Sequence, residues 1–247
     1  EPVFNLNYVS IDERQGIDPD TREGTDRFTT DVALQEAFVE IHLADLSANY
    51  DFVSVKLGRQ LINTDFRGLI YKEPNDGARL FGSLDANRIQ YNLLYFNLAE
   101  KDTNSGLLSL DRRDQQVALA NLYIQDFFVL GYTTELSFLA NFDEGTKDPF
   151  QFDNQGFLVR PDPVGIATPH DVEVYYVGWA GEGHIGWLNV SHAFYQAFGR
   201  DTANPIAGRD VDINGQFAFL ELSIDRDWMR YQASFVYSSG DSDPRDS

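Results

Sequence analysis

Between Gly131 and Gly145 the chain reads GYTTELSFLANFDEG. Tyr132, Thr134, Leu136, Phe138, Ala140 and Phe142 fall on one parity, and Thr133, Glu135, Ser137, Asn141 and Asp143 on the other. A period of two belongs to a strand with one apolar and one polar face. Such an apolar face either packs into a soluble core or faces lipid, and the rest of the chain has to decide.

Comparable runs recur and predict about eleven strands, near 3–11, 28–43, 51–60, 77–83, 88–100, 114–126, 131–143, 171–180, 184–198, 211–224 and 228–239. The connections between them alternate in length. Short turns are expected near Ser47–Asp51, Asp85–Asn87, Phe128–Gly131, Gly181–Gly183 and Asp225–Asp227, and long ones after the first strand, around Asn75–Gly77, at 101–113, at 144–170 and at 199–210. A soluble sandwich has no reason to follow that rule, whereas an outer-membrane barrel has short periplasmic turns and long extracellular loops. Several runs also reach the ~9–11 residues that a tilted strand needs to cross hydrocarbon.

The aromatic positions agree. In MRYQASFVYSSG, Met229, Tyr231, Ala233, Phe235 and Tyr237 share the parity expected to face outward, with Arg230, Gln232, Ser234 and Ser238 facing a lumen. Tyrosines near both ends of an apolar stretch match a lipid-facing band between aromatic girdles. In 211–224 the outward set Ala218, Leu220, Leu222 and Ile224 leaves Phe217 and Phe219 pointing inward, which requires either a packed interior there or a different register. The strand count is odd and the last strand runs into SSGDSDPRDS. The expectation is therefore a single all-β, antiparallel transmembrane barrel domain over 1–247, lacking strands at one or both ends.

Charge narrows the function. Nineteen Lys and Arg face 39 Asp and Glu, a formal net charge of -20, which argues against nucleic acid as a partner. Only Lys56, Lys72, Lys101 and Lys147 are lysines, so the positive charge is mostly guanidinium, suited to carboxylate or phosphate contacts. With no Cys, disulfides and thiolate metal sites are excluded. No run approaches the ~20 apolar residues of a membrane-spanning helix.

Three stretches resemble the alginate-export and related large-porin families of Gram-negative outer membranes: VSVKLGRQLINTDFRGLI (53–70), GARLFGSLDANRIQYNLLYFNLAEKDT (77–103) and YQASFVYSSGDSDPRDS (231–247). Together they cover about a quarter of the chain. The resemblance implies a monomeric barrel through which solutes diffuse, with the bilayer and lipopolysaccharide as its surroundings. It does not imply alginate itself, which would need an arginine-rich constriction.

Other chemistries are weaker. Gly181, Gly183 and Gly186 spell GxGxxG, but Glu173 interrupts the preceding strand and no strand-helix units surround it, so a hairpin turn is expected rather than a dinucleotide site. His42, His170, His184 and His192 show no metal-ligand spacing, and the acidic tail with Asp241, Asp243 and Asp246 lacks the EF-hand pattern. Nothing singles out a carboxylate pair for glycoside hydrolysis, so no enzyme activity, metal or cofactor is expected.

The expected function is an outer-membrane porin for small hydrophilic solutes, anionic or zwitterionic ones in particular. Lys56, Glu135, Glu173 and Arg230 are read as lumenal, and Arg59, Arg67, Arg79, Arg112 and Arg113, at strand ends or in loops, as candidates for a basic constriction. Two alternatives are a barrel that sheathes or scaffolds a partner protein, such as an electron-transfer or secretion component, and a soluble carbohydrate-binding β-protein. Loop 144–170, with Phe150, Phe152, Phe157, Pro161 and Pro163, is the discriminating segment, because folding inward would constrict a pore.

Overall fold

The computed structural model describes residues 1–10, 26–102, 105–147, 149–152, 158–161 and 164–240. Among these the ordered elements are strands: β1 (Pro2–Ser10), β2 (Asp26–Leu34), β3 (Ala37–Asp45), β4 (Phe52–Asn63), β5 (Lys72–Leu84), β6 (Ile89–Lys101), β7 (Leu108–Gln125), β8 (Tyr132–Glu144), β9 (Gln151–Phe152), β10 (Leu158–Arg160), β11 (Asp171–Ile185), β12 (Leu188–Asn204), β13 (Arg209–Arg226) and β14 (Met229–Ser238). The fold is all-β and antiparallel. Ten strands form one meander in the order β14-β13-β12-β11-β8-β7-β6-β5-β4-β3, and β1-β2 and β9-β10 make two small hairpins. The large sheet is not closed; β3 and β14 are its edges.

The side-chain period shows in burial in the inner strands of the sheet, whereas the edge strands β3 and β14 are exposed on both faces. In the opening segment Leu136 and Phe138 are exposed while Glu135 and Leu139 are buried, as the alternation requires. Register carries this division from strand to strand, pairing Phe138 with Ala120 and Val177, and Leu139 with Leu119 and Tyr176. The outer face is the one bearing Leu136 and Phe138. The inner face carries a packed cluster of Ile62, Leu94, Phe96, Leu98, Val117, Leu119 and Leu139.

Several boundaries differ from the sequence-based expectation. The run 28–43 is two elements, because the chain breaks at Gln35–Glu36 and its first half pairs with β1 while its second half pairs with β4. The glycine turn lies at Gly186–Trp187, with Gly181 and Gly183 inside β11. Gly181 is needed there for a different reason: a Cβ at this position would come within 1.9 Å of the Tyr132 hydroxyl, so the ring of Tyr132 occupies the space. The expected loop 199–210 shrinks to residues 205–208, because β12 and β13 extend as a hairpin of 17 and 18 residues. Thus the two ends of the sheet differ, though not by a strict alternation of loop length. At one end the turns are 46–51, 85–88, 126–131, 186–187 and 227–228, and at the other the connections are 64–71, 102–107, 145–170 and 205–208. Phe157 and Pro163 of loop 144–170, and Asp241, Asp243 and Asp246, lie outside the described residues.

Candidate functional site: an inward-folded connection

The connection between β4 and β5, residues 64–71, lies on the inner face. Its fold starts with one carboxylate. Asp65, 4% exposed, accepts hydrogen bonds from the backbone N–H groups of Arg67 (2.7 Å), Gly68, Leu69 (2.9 Å) and Ile70 (3.1 Å). Four backbone donors of a partly buried loop are satisfied by one buried side chain. Thr64 closes the loop, its N–H and Oγ1 both donating to the Tyr71 carbonyl at 3.1 and 2.9 Å.

The loop is then tied to strands far from its own. The Tyr195 hydroxyl of β12 donates to Asp65 at 3.0 Å, and Asn121 and Tyr123 of β7 donate to the Thr64 carbonyl at 2.8 and 2.9 Å. Phe66 and Ile70 pack with Phe217 and Phe219 against Ala180, Ala193 and Tyr195. The inward phenylalanines of β13 are therefore in the predicted register, and the interior is packed at that level by the loop.

Arg67 reaches furthest. Its Nε donates to Ser191 Oγ of β12 (3.0 Å), one terminal nitrogen donates to Glu221 of β13 (2.7 Å), and the guanidinium sits 4.3 Å from the Phe219 ring. This contact fixes the shape of the sheet. β4 and β13 are seven strand steps apart in the order of the sheet, roughly 33 Å along a flat sheet at ~4.8 Å per step. Four residues from the end of β4 span at most ~14 Å. The sheet must curl around the loop for Arg67 to touch both.

The charges on the inner face are segregated. On the β3–β5 side stand Lys56, paired with Glu40 at 3.0 Å and 4.3 Å from the Phe38 ring, and Arg79, which donates to Asn92 at 2.8 Å and covers the Phe81 ring at 4.5 Å. Asp65 lies in the loop itself, Glu221 of β13 accepts from Arg67, and Glu135 of β8 is fully buried beside Tyr123 and Asn121. Lys56, Arg67, Arg79 and Glu135 thus lie on the inner face of the sheet. Arg230 is also on the inner parity, but at the short-turn end, where it forms a two-pronged pair with Asp225.

Four expected site residues stand elsewhere. Arg59 has the parity of Leu57 and Leu61 on the outer face; it is 4% exposed and bound to Asp76 (2.7 Å) and to the carbonyls of Leu34 and Ser109. Arg112 grips the same Asp76 at 2.9 Å. These two arginines clamp the hairpin β1-β2 and the start of β7 to the main sheet. Both guanidinium groups are held on the outer side by the shared Asp76, so neither reaches an interior solute. Glu173 shares the outer parity of Tyr175 and Val177 and accepts from the Tyr175 hydroxyl, so it faces away from the interior. Arg113 lies at the rim, 3.9 Å from Asp143. The described part of the long connection meets this rim too: Arg160 is near Glu100 (3.3 Å) and Asp143 (4.0 Å) and donates to the Arg113 carbonyl.

Asp65, Ser191, Tyr195 and Glu221 were not singled out in the sequence. The one local signal is Asp65-Phe66-Arg67-Gly68, an Asp followed by a left-handed glycine (φ 70°), which reads as a side-chain-capped turn. Its long-range partners leave no trace in the local pattern. Among the described residues no group of three or more His, Asp or Glu is placed to hold a metal ion. No protein-family model matches the chain, and a search of curated proteins finds no match.

Proposed function

We propose that this chain is part of an outer-membrane porin, of the kind resembled by alginate-export-like large porins, in which residues 64–71 form the constriction for small hydrophilic solutes. The observation that carries this reading is the outer face. Val39 of β3, Leu93 of β6, Phe138 of β8, Trp179 of β11 and Phe235 of β14 are 62%, 50%, 43%, 44% and 58% exposed. An apolar face running over ten strands is roughly 43 Å wide at ~4.8 Å per strand step and, over a band ~25 Å tall, covers on the order of 1,000 Å², beyond the few hundred Å² that a soluble monomer exposes. Lipid is the partner that matches its extent. Strands of 12–18 residues from β4 to β8 exceed what a tilted crossing needs. Tyr50, Phe127, Phe128, Trp187 and Trp228 are exposed on four of the five short turns, where interfacial aromatics anchor a barrel.

The mechanism is steric and electrostatic. The loop narrows the interior; Arg79 and Lys56, the latter paired with Glu40, stand on one wall, and Glu221, paired with Arg67, on the other. Such a transverse field orients dipolar solutes and admits anions along the basic side. A sheath around a protein partner needs an interior free of inward loops; residues 64–71 occupy that space and favour the porin.

Planar-bilayer recording of the full-length protein tests the reading. Stable single-channel steps are expected, with anion preference reduced in Lys56→Gln/Arg79→Gln. A protein that folds and inserts without conducting would defeat it. Phe138→Arg is expected to cost about 2–4 kcal/mol of stability in lipid, as for a cation placed at the bilayer midplane; a neutral effect would remove the lipid-facing assignment.

A further inference from the structure

Beside the inward loop, towards the long-connection end, lie two neighbouring cavities of about 480 and 450 Å³ that share Ile70 and Tyr176 as a common wall. Both are bounded by inner-face side chains, Val117 and Leu139 in the first and Tyr195 and Phe217 in the second. Their chemistry differs sharply.

The first cavity is basic in a chain of net charge -20. Lys72, Lys101 and Arg113 line it against one carboxylate, Glu73, and the amides of Gln115 and Asn141 add neutral hydrogen-bonding groups. Lys101 is already paired with Glu73, and Arg113 has only a 3.9 Å contact with Asp143 and a buried Nε without a hydrogen-bond partner. Lys72 forms no ion pair among the described residues. The second cavity has no charged wall residue: Leu69, Ile70, Tyr176, Tyr195 and Phe217 dominate it, with Gln216 and Ser239 at its edge. The Tyr195 and Phe217 rings, 6.5 Å apart and tilted by 26°, form its inner wall, with Tyr195 itself almost fully buried.

From this juxtaposition we infer that the vestibule above the constriction is a binding site for a small amphipathic carboxylate, an aromatic or short-chain acid. Its anionic head lies among Lys72, Lys101 and Arg113, and its apolar body lies on Tyr176, Tyr195 and Phe217. A polyol or sugar acid is polar all round and would leave the second cavity's walls without apolar contact. An uncharged apolar solute would leave the first cavity's cations with water only. The inference rests on the porin reading, since it names the class of solute that the constriction selects.

Titration calorimetry of the full-length protein in nanodiscs, against empty nanodiscs, separates the two ends of the site with three probes: phenylacetate, acetate and 2-phenylethanol. Phenylacetate is expected to bind at least about tenfold more tightly than either half-probe, equivalent to about 1.4 kcal/mol. Lys72→Gln/Lys101→Gln should weaken phenylacetate about tenfold and leave 2-phenylethanol unchanged; both side chains are at the rim, so folding is retained. Equal affinity for acetate and phenylacetate would show a head-only site and overturn the inference, as would equal affinity for 2-phenylethanol and phenylacetate, or no binding of phenylacetate. Conductance is read separately in planar bilayers. Open channels without phenylacetate binding sink this inference and spare the porin; phenylacetate binding without conductance sinks the porin reading and leaves the site.

Discussion

Two connections at the same end of the sheet behave oppositely. Residues 64–71 are eight, with two aromatics, yet they cross the interior and are held by β7, β12 and β13. The connection 145–170 is more than three times as long and carries Phe150 and Phe152, which are 49% and 54% exposed. Length and aromatic content therefore do not send a loop inward. What does is internal satisfaction of the backbone: Asp65 takes four N–H groups, so the loop can lie against the inner face without leaving those donors unpaired. The longer connection reaches only the rim in its described part, through Arg160.

Removing Asp65 should break this contrast most severely. Asp65→Ala strands four part-buried backbone donors and the buried Tyr195 hydroxyl, an expected loss of about 3 kcal/mol. Denaturant titration in detergent would measure it, and proteolysis should newly cut within 64–71. Channel conductance should rise at the same time. An uncut loop with unchanged conductance would show that packing of Phe66 and Ile70 alone holds it.

A smaller effect is expected for Arg67→Ala, about 1 kcal/mol, because both Arg67 and Glu221 are partly exposed. A double-mutant cycle with Glu221→Gln isolates the pair. Coupling near zero would mean that Arg67 contributes through its stacking on Phe219 instead. Conductance should still change, since the guanidinium spans the interior.

Asp51 offers a parallel at the opposite end. It accepts from the Ser47 hydroxyl (2.6 Å) and the backbone N–H groups of Asn87 (3.1 Å) and Ala86 (3.3 Å), joining two turns. The Ser47 hydroxyl first, then the Asn87 N–H, hold its carboxyl below the usual carboxylate range. Its stabilising contribution is then present above the unfolded value, near pH ~3.9, and is lost as pH falls through the lower folded value. Asp51→Asn should flatten that acid-side loss in a pH series of unfolding midpoints. An identical series for both proteins would dismiss the carboxylate's role.

The smallest effects belong to the long connection. Phe150→Ser and Phe152→Ser should change stability by less than about 0.5 kcal/mol, as for exposed positions, and leave conductance unchanged. A marked change in conductance would return this segment to the pore.

How much of this was legible beforehand can be argued from particular residues. The parity of Glu135 against Leu136 and Phe138, the inward aim of Phe217 and Phe219, and the outward set on β14 all follow from a period of two, which the backbone enforces locally. Lys56 could be placed inside because it sits within a regular strand, whereas Arg79 was expected only at a strand end and is set on the same face by its pairing with Lys56. Arg59, Arg112 and Glu173 could not, because each is near a strand end, where length and register were uncertain by a few residues and one residue reverses the face. Gly181 was legible as a glycine but not as the space for Tyr132.

The sequence alone determined an all-β antiparallel chain, its two chemically distinct faces and the inward aim of Lys56, since these depend on neighbours along a strand. The curl of the sheet, the choice of 64–71 over 144–170 as the inward segment, and the meeting of Arg67 with Ser191 and Glu221 were decided only in the tertiary structure. Contacts between residues 124 and 154 positions apart have no local periodicity to announce them. They depend on how seven successive strand pairings rotate the chain back upon itself.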